Sequence, residues 1–220
     1  MRKYLSASLM CADLTDLKTA VAQLEQAGID YLHLDIMDGS FVPNITLGFD
    51  LVNALKKITD LPLDVHMMVS EPGRFLDRMA LSQRDILCVH YEADVHVQRT
   101  LTKIREKGCL AGLAINPSTP PEVYRWLADE IDMALVMTVS PGFAGQKLYA
   151  GAAKKTAAVR ALLDECGKKN VPIEVDGNIT PANGKLLSGC GAEIFVLGTS
   201  ALFGKDRDLG EAASAFRQML

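Results

Sequence analysis

Three short apolar runs carry side chains that ordinary core strands avoid. They read YLHLDIMDGSFVPN, LDVHMMVSEPG and IEVDGN. Residues two apart in an extended strand share a face, so His33, Asp35 and Met37 point one way, and Leu32, Leu34 and Ile36 the other. The same count puts Asp64, His66 and Met68 on one face of the second run. An imidazole or a carboxylate in such a run is costly unless something pairs with it. Taken singly, His33–Asp35 reads equally well as a hydrogen bond tying down an interior, and His66 as a satisfied core histidine. Two neighbouring strands that each present a histidine, with Asp176 closing the third run, change that balance. His33, Asp35, His66 and Asp176 together suit one divalent ion, whether Zn²⁺, Fe²⁺, Mn²⁺ or Co²⁺, and the residue types do not choose among these.

Three glycine-bearing segments form a second constellation: SPGFAGQ (Ser140 to Gln146), DGN (Asp176 to Asn178) and GTS (Gly198 to Ser200). Glycine lets backbone N–H groups approach an anion closely, so a phosphate can be held without a lysine. Each segment alone is an ordinary turn. Placed jointly after the last three strands of the chain, they point to a phosphate-bearing ligand.

Side chains so dispersed need a scaffold that brings strand ends to one point. The spacing predicts strands over Tyr4 to Met10, Tyr31 to Ile36, Leu63 to Val69, Ile86 to His90, Leu110 to Ile115, Met133 to Thr138, Ile173 to Val175 and Ile194 to Leu197. Amphipathic helical stretches lie between them. Leu14, Leu17, Val21 and Leu24 recur at helical spacing, and Gly28 supplies a stop. Pro181 suits a first helical turn, with Leu186 and Leu187 expected to face inward. Eight such β–helix units predict an α/β fold, a single closed (β/α)8 TIM barrel, with an open doubly wound sheet as the runner-up. No linker or composition shift divides residues 1–220, so one domain is expected.

The bulk numbers agree. The chain has 220 residues, 49% hydrophobic and 23% charged, with a net charge of −4, which offers no basic surface to nucleic acid. Five scattered cysteines without CxxC spacing fit reduced thiols in the cytoplasm. No apolar run approaches the ~20 residues of a membrane span, and the opening residues lack a secretory signal's apolar core.

Over nearly its whole length the chain resembles the ribulose-phosphate 3-epimerase family. The segments that carry the resemblance are SASLMCADL, HLDIMDGSFVPNITLG, LDVHMMV, INPSTP, MTVSPGFAGQK, EVDGNI and LGTSALF. It implies a phosphorylated ketose as substrate, a homo-oligomer, and one divalent metal per subunit on His33, Asp35, His66 and Asp176. Asp35 and Asp176 would be the acid–base pair that inverts C3 of D-ribulose 5-phosphate. Ser8 and His66 would contact the sugar. Gly142, Phe143, Ala144 and Gly145, with Gly177, Asn178, Gly198 and Thr199, would surround the phosphate end. Met37, Met68 and Met137 would pad the reacting carbons, although ordinary core filling explains them too. LMCADL, PGFAGQ, DGN and GTS depart from the common pattern and look more like the D-allulose-6-phosphate 3-epimerase branch, so a hexose phosphate is the alternative substrate. The segments FVPNITLG and PGFAGQ are expected to form loops over the site. His90 is expected to border it, His96 to face solvent, and Trp126 to pack outside the barrel on a helix. A metal-free phosphate barrel and a non-catalytic sugar-phosphate sensor are the competing classes. The first lacks a lysine at a strand end, and the second has no reason to keep all four proposed ligands.

Overall fold

The computed structural model describes residues 2–204 and 208–220. Eight parallel strands close on themselves: β1 (Tyr4–Ser8), β2 (Tyr31–Asp38), β4 (Leu63–Met68), β5 (Ile86–His90), β6 (Leu110–Ile115), β7 (Met133–Met137), β8 (Ile173–Asp176) and β9 (Ile194–Leu197). A two-residue strand, β3 (Ile45–Thr46), pairs antiparallel with the end of β2. Pairing of β1 with both β9 and β2 completes the barrel. The fold is a TIM barrel, as the alternation of elements predicts.

Alternation of side chains builds two apolar layers. Leu32, Leu34, Val65, Met67, Leu113 and Val175 point outward into the layer under the helices. Ile86, Cys88, Met133, Leu135 and Met137 fill the interior instead. At the N-terminal rim, aspartates tie strand starts together. Asp30 Oδ2 accepts from the Leu5 N–H, Asp85 Oδ1 from Leu63 and Asp132 Oδ2 from Ala111, each at 2.8 to 2.9 Å.

Six α-helices lie among the described residues: α1 (Leu17–Gln26), α2 (Phe49–Leu55), α3 (Val97–Glu106), α4 (Ala152–Glu165), α5 (Pro181–Gly189) and α6 (Leu209–Met219). Two of the expected eight are replaced by 3₁₀ turns, Pro72–Arg74 with Leu76–Arg78 after β4, and Pro121–Trp126 after β6. Prolines at 117, 120 and 121 remove backbone donors that an α-helix needs there. The buried Tyr124 hydroxyl anchors that turn to the carbonyls of Leu113 and Leu135 at 2.9 and 3.0 Å.

Smaller expectations need correction. β1 stops at Ser8, because Leu9–Cys11 turns into a 3₁₀ segment, and β2 runs on to Asp38. Leu14 precedes α1 and is half exposed, since the Asp16 side chain caps the helix by accepting from the Thr19 N–H at 3.4 Å. Leu187 is buried, whereas Leu186 is 50% exposed. Trp126 stands in solvent at 86% exposure rather than packing on the barrel. Among the described residues no helix is long and apolar enough to cross a membrane.

Candidate active site

β2, β4 and β8 carry the four side chains singled out in the sequence to the C-terminal rim. One ligating atom from each of His33, Asp35, His66 and Asp176 lies within 4.8 Å of all the others. Asp35 is central: its Oδ1 is 3.1 Å from His33 Nε2 and 3.1 Å from His66 Nδ1. Asp176 Oδ2 lies 3.8 Å from the same His66 nitrogen. Ser8, at the end of β1, donates its hydroxyl to Asp35 Oδ2 at 3.2 Å.

Both imidazoles are fully buried and held from behind. His33 Nδ1 meets Asp64 Oδ2 at 2.6 Å, and the same oxygen accepts from the Ser6 hydroxyl at 2.7 Å. Glu174 Oε1 stands 3.6 Å from that imidazole nitrogen. His66 Nε2 meets His90 Nε2 at 2.8 Å, and His90 Nδ1 meets Glu92 Oε2 at 3.2 Å.

Charge is distributed unevenly over this cluster. Burial works against ionisation of Asp35, yet His33, and then His66, hold its carboxyl far below the usual range. Burial, followed by the charge on Asp35, pushes Asp176 up to about 6. Glu174 is driven well above the ordinary carboxylate value by burial and then by Asp64. Burial also opposes a charge on His33, but Asp64 and Asp35 beside it raise its pKa well above the ordinary value. Two carboxylates facing one space thus differ in their readiness to hold a proton, which is the usual arrangement of an acid and a base.

The donor set fits a divalent cation. Two imidazoles and two carboxylates, each with a ligating atom within 4.8 Å of the others, are donor types such an ion takes. Asp64 behind His33 Nδ1 is the kind of carboxylate partner that commonly orients a ligating imidazole.

A cleft opens at this rim. Ser8, Asp35, Met37, Met68, Met137 and Asp176 line it, with Gly142, Phe143, Ala144, Gly145, Gly177, Asn178, Gly198 and Thr199. Of the residues expected at the site, His33, His66 and His90 do not border the cleft; all three are fully buried. The DGN turn is built tightly. Gly177 has φ +114°, and a Cβ there would stand 2.4 Å from Val139 Cγ2. The Thr138 hydroxyl donates to the carbonyls of Asp176 and Gly177 at 2.7 and 2.5 Å, which pins the turn.

His90 borders the cluster as expected, whereas Ser6, Asp64, Glu92 and Glu174 carry no assigned role in the sequence. A signal for three of them was present, because Ser6, Asp64 and Glu174 each lie two residues before a marked side chain and so share its face.

Fold and site together define a (β/α)8-barrel enzyme with a buried histidine–carboxylate centre at the C-terminal rim. A profile of the "Ribulose-phosphate 3 epimerase family" matches residues 4–203. The chain belongs to that family and is an isomerase of the epimerase class. It is 43% identical over 210 residues to "Ribulose-phosphate 3-epimerase" of Bacillus subtilis (strain 168), covering 96% of each chain. It is 41% identical over 214 residues to "Ribulose-5-phosphate-3-epimerase, chloroplastic" of Arabidopsis thaliana, covering 96% of this chain and 75% of that one. Among solved structures, a 3-hexulose-6-phosphate synthase matches with a TM-score of 0.65 at 16% identity, covering 99% of both chains, a likeness of fold alone.

Proposed function

We propose that this chain, acting as one barrel domain over residues 1–220, interconverts D-ribulose 5-phosphate and D-xylulose 5-phosphate by moving the proton at C3. The observation that carries the reading is the Asp35–Asp176 pair, one carboxyl held ionised and the other raised to about 6. The C3 proton lies beside the C2 ketone, so its removal gives an enediolate. Asp35 takes that proton from one face and Asp176 delivers one to the other, with roles reversed in the opposite direction.

A divalent ion held by His33, Asp35, His66 and Asp176 would supply electrostatic stabilisation to the enediolate oxygens. Ser8 orients Asp35 and meets the sugar. The backbone from Gly142 to Gly145, the Gly177–Asn178 turn and the Gly198–Thr199 pair take the phosphate end and give orientation rather than chemistry. Met37, Met68 and Met137 form an apolar wall that keeps water from the reacting carbon. The free cysteines suit a reducing cytoplasm. A homo-oligomeric state rests on family resemblance.

The pentose is favoured over the hexose because the curated relatives cited above carry ribulose phosphate names. Ala144 and Asn178 are what keep D-allulose 6-phosphate as the alternative. Incubating the metal-loaded protein with each ketose in D2O, with NMR following epimer formation and deuterium at C3, separates the two. Turnover of the pentose is expected. Preference for the hexose would move the chain to the other branch, and exchange on neither substrate would end the epimerase reading.

A further inference from the structure

Behind His66 a hydrogen-bonded chain runs out of the barrel to a fixed carboxylate. Glu92 lies in the 3₁₀ turn Tyr91–Ala93 that follows β5. Its Oε1 accepts from the Asn116 N–H at 2.8 Å and from the Thr119 hydroxyl, and its Oε2 faces His90 Nδ1 at 3.2 Å. The Asn116–Pro117 loop is itself held by Lys155 of α4, whose Nζ donates to both carbonyls at 2.6 and 2.9 Å. Burial opposes ionisation of Glu92, but the bonds from His90, Thr119 and Asn116 bring it down to about 2.

The polarity of the chain follows from that carboxylate. Ionised Glu92 can only accept, so His90 must carry its hydrogen on Nδ1. His90 is fully buried against the His66 and Phe41 rings, and a neutral ring with its hydrogen on Nδ1 leaves Nε2 a bare lone pair. His66 Nε2, 2.8 Å away, must then be the donor. That leaves the Nδ1 lone pair of His66 facing Asp35 Oδ1 at 3.1 Å and Asp176 Oδ2 at 3.8 Å. The Phe41 ring, 4.8 Å from the His90 ring, closes over the pair.

We propose that Glu92 and His90 are positioning residues that lock His66 in its Nε2–H tautomer, so that its Nδ1 lone pair is turned into the site. The purpose of this device rests on the metal reading above, but its test does not.

Glu92→Gln should reverse the chain. The amide oxygen must stay toward the Asn116 N–H and the Thr119 hydroxyl, so the NH2 group turns to His90 Nδ1. His90 then carries its hydrogen on Nε2, His66 accepts it, and the His66 hydrogen moves to Nδ1, where it points into the site. Two-bond ¹H–¹⁵N correlation spectra of the metal-free proteins at about pH 8.5, where free imidazole is neutral, read this directly. Nε2–H is expected for His66 in the wild type and Nδ1–H in Glu92→Gln. Zn²⁺ affinity, measured against a competing chelator, is expected to fall about 10–100-fold in the variant.

His90→Gln keeps an acceptor toward His66 and a donor toward Glu92, so it should retain the wild-type tautomer and most of the affinity. His90→Leu should retain neither. This second pair carries the test if circular dichroism finds Glu92→Gln unfolded. The same His66 tautomer in the wild type and the Glu92→Gln or His90→Leu protein overturns the proposal, whatever happens to affinity. A wild type that takes up no Zn²⁺ while the tautomer switches as stated removes the metal reading and leaves the proposal standing.

Discussion

The side-chain amide of Asn44 donates to the carbonyl of Gly142 across 2.8 Å, joining loops that leave opposite sides of the barrel. Val42 sits under the same glycine, whose φ of +115° and lack of a Cβ permit the approach. The loop after β2 and the loop after β7 therefore meet above the cleft, in the place their compositions suggest.

Removing that latch should affect turnover more than folding. Asn44→Ala is expected to lower kcat/KM roughly tenfold, because loop closure positions the bound ketose. One hydrogen bond is worth about 1 kcal/mol, so the unfolding midpoint should move by only about 2–4 °C. Steady-state kinetics beside a thermal melt check this; an unchanged kcat/KM would show that the two loops act independently of the contact.

The proposed acid–base pair has a sharper signature. Asp35→Asn or Asp176→Asn should reduce epimerisation by about 10²–10⁴-fold with the barrel intact, as expected for loss of a general acid or base. With a carboxylate on each face of C3, each variant should still exchange the C3 hydrogen of one epimer with D2O, and the two variants should favour opposite epimers. Because both residues also belong to the proposed ligand set, metal content is measured in the same samples. Exchange into both epimers by either variant at full metal content would contradict the two-aspartate assignment.

The DGN turn is intolerant for a different reason. Gly177 combines φ +114° with Val139 Cγ2 at 2.4 Å from the place of any Cβ. Gly177→Ala should cost about 2–4 kcal/mol through backbone strain and overpacking, read as a lower urea midpoint with an unchanged slope. The ordinary cost of an exposed glycine-to-alanine change, within about 0.5 kcal/mol, would mean that the turn relaxes freely.

How far the sequence carried depended on which interactions follow from spacing within one strand. His33 with Asp35, and Asp64 with His66, are visible because a period of two is local. That His33 lies beside both Ser8 and Asp64 is a matter of register between strands, fixed only when β1 and β4 pair with β2 on either side. The lower polar layer of Ser6, Asp64 and Glu174 therefore stayed unread, although each residue type was in view. Glu92 was hidden further still, because its partners Asn116 and Thr119 come from the loop after the next strand. The 3₁₀ segment ending at Trp126 reads as a helix by hydrophobic spacing, and proline placement overrides that pattern. Leu186 and Leu187 show the same limit, since adjacent apolar residues cannot both face the barrel from one helix.

Asp85 supplies a prediction about pH that leaves the active site untouched. It is fully buried at the N-terminal rim, where Lys56 Nζ lies 2.9 and 3.0 Å from its two oxygens and the N–H groups of Leu63 and Ser82 donate at 2.8 and 2.7 Å. Burial opposes its ionisation, but Lys56, Leu63 and Ser82 more than offset this and hold its pKa below the ordinary value. A group with a depressed folded pKa stabilises the native state above its unfolded pKa, about 3.9, and that contribution is lost as pH falls through the folded value. Asp85→Asn should therefore cost about 3 kcal/mol at neutral pH, by stranding Lys56 and the strand-end donors. The difference from wild type should shrink below about pH 4, where the unfolded wild-type chain begins to take up its proton ahead of the folded one. Urea unfolding of both proteins at neutral and at acid pH measures it. A gap that stays constant across that range would assign the loss to packing and not to charge. Epimerase activity of the folded variant should match wild type, since the site lies at the other end of the barrel.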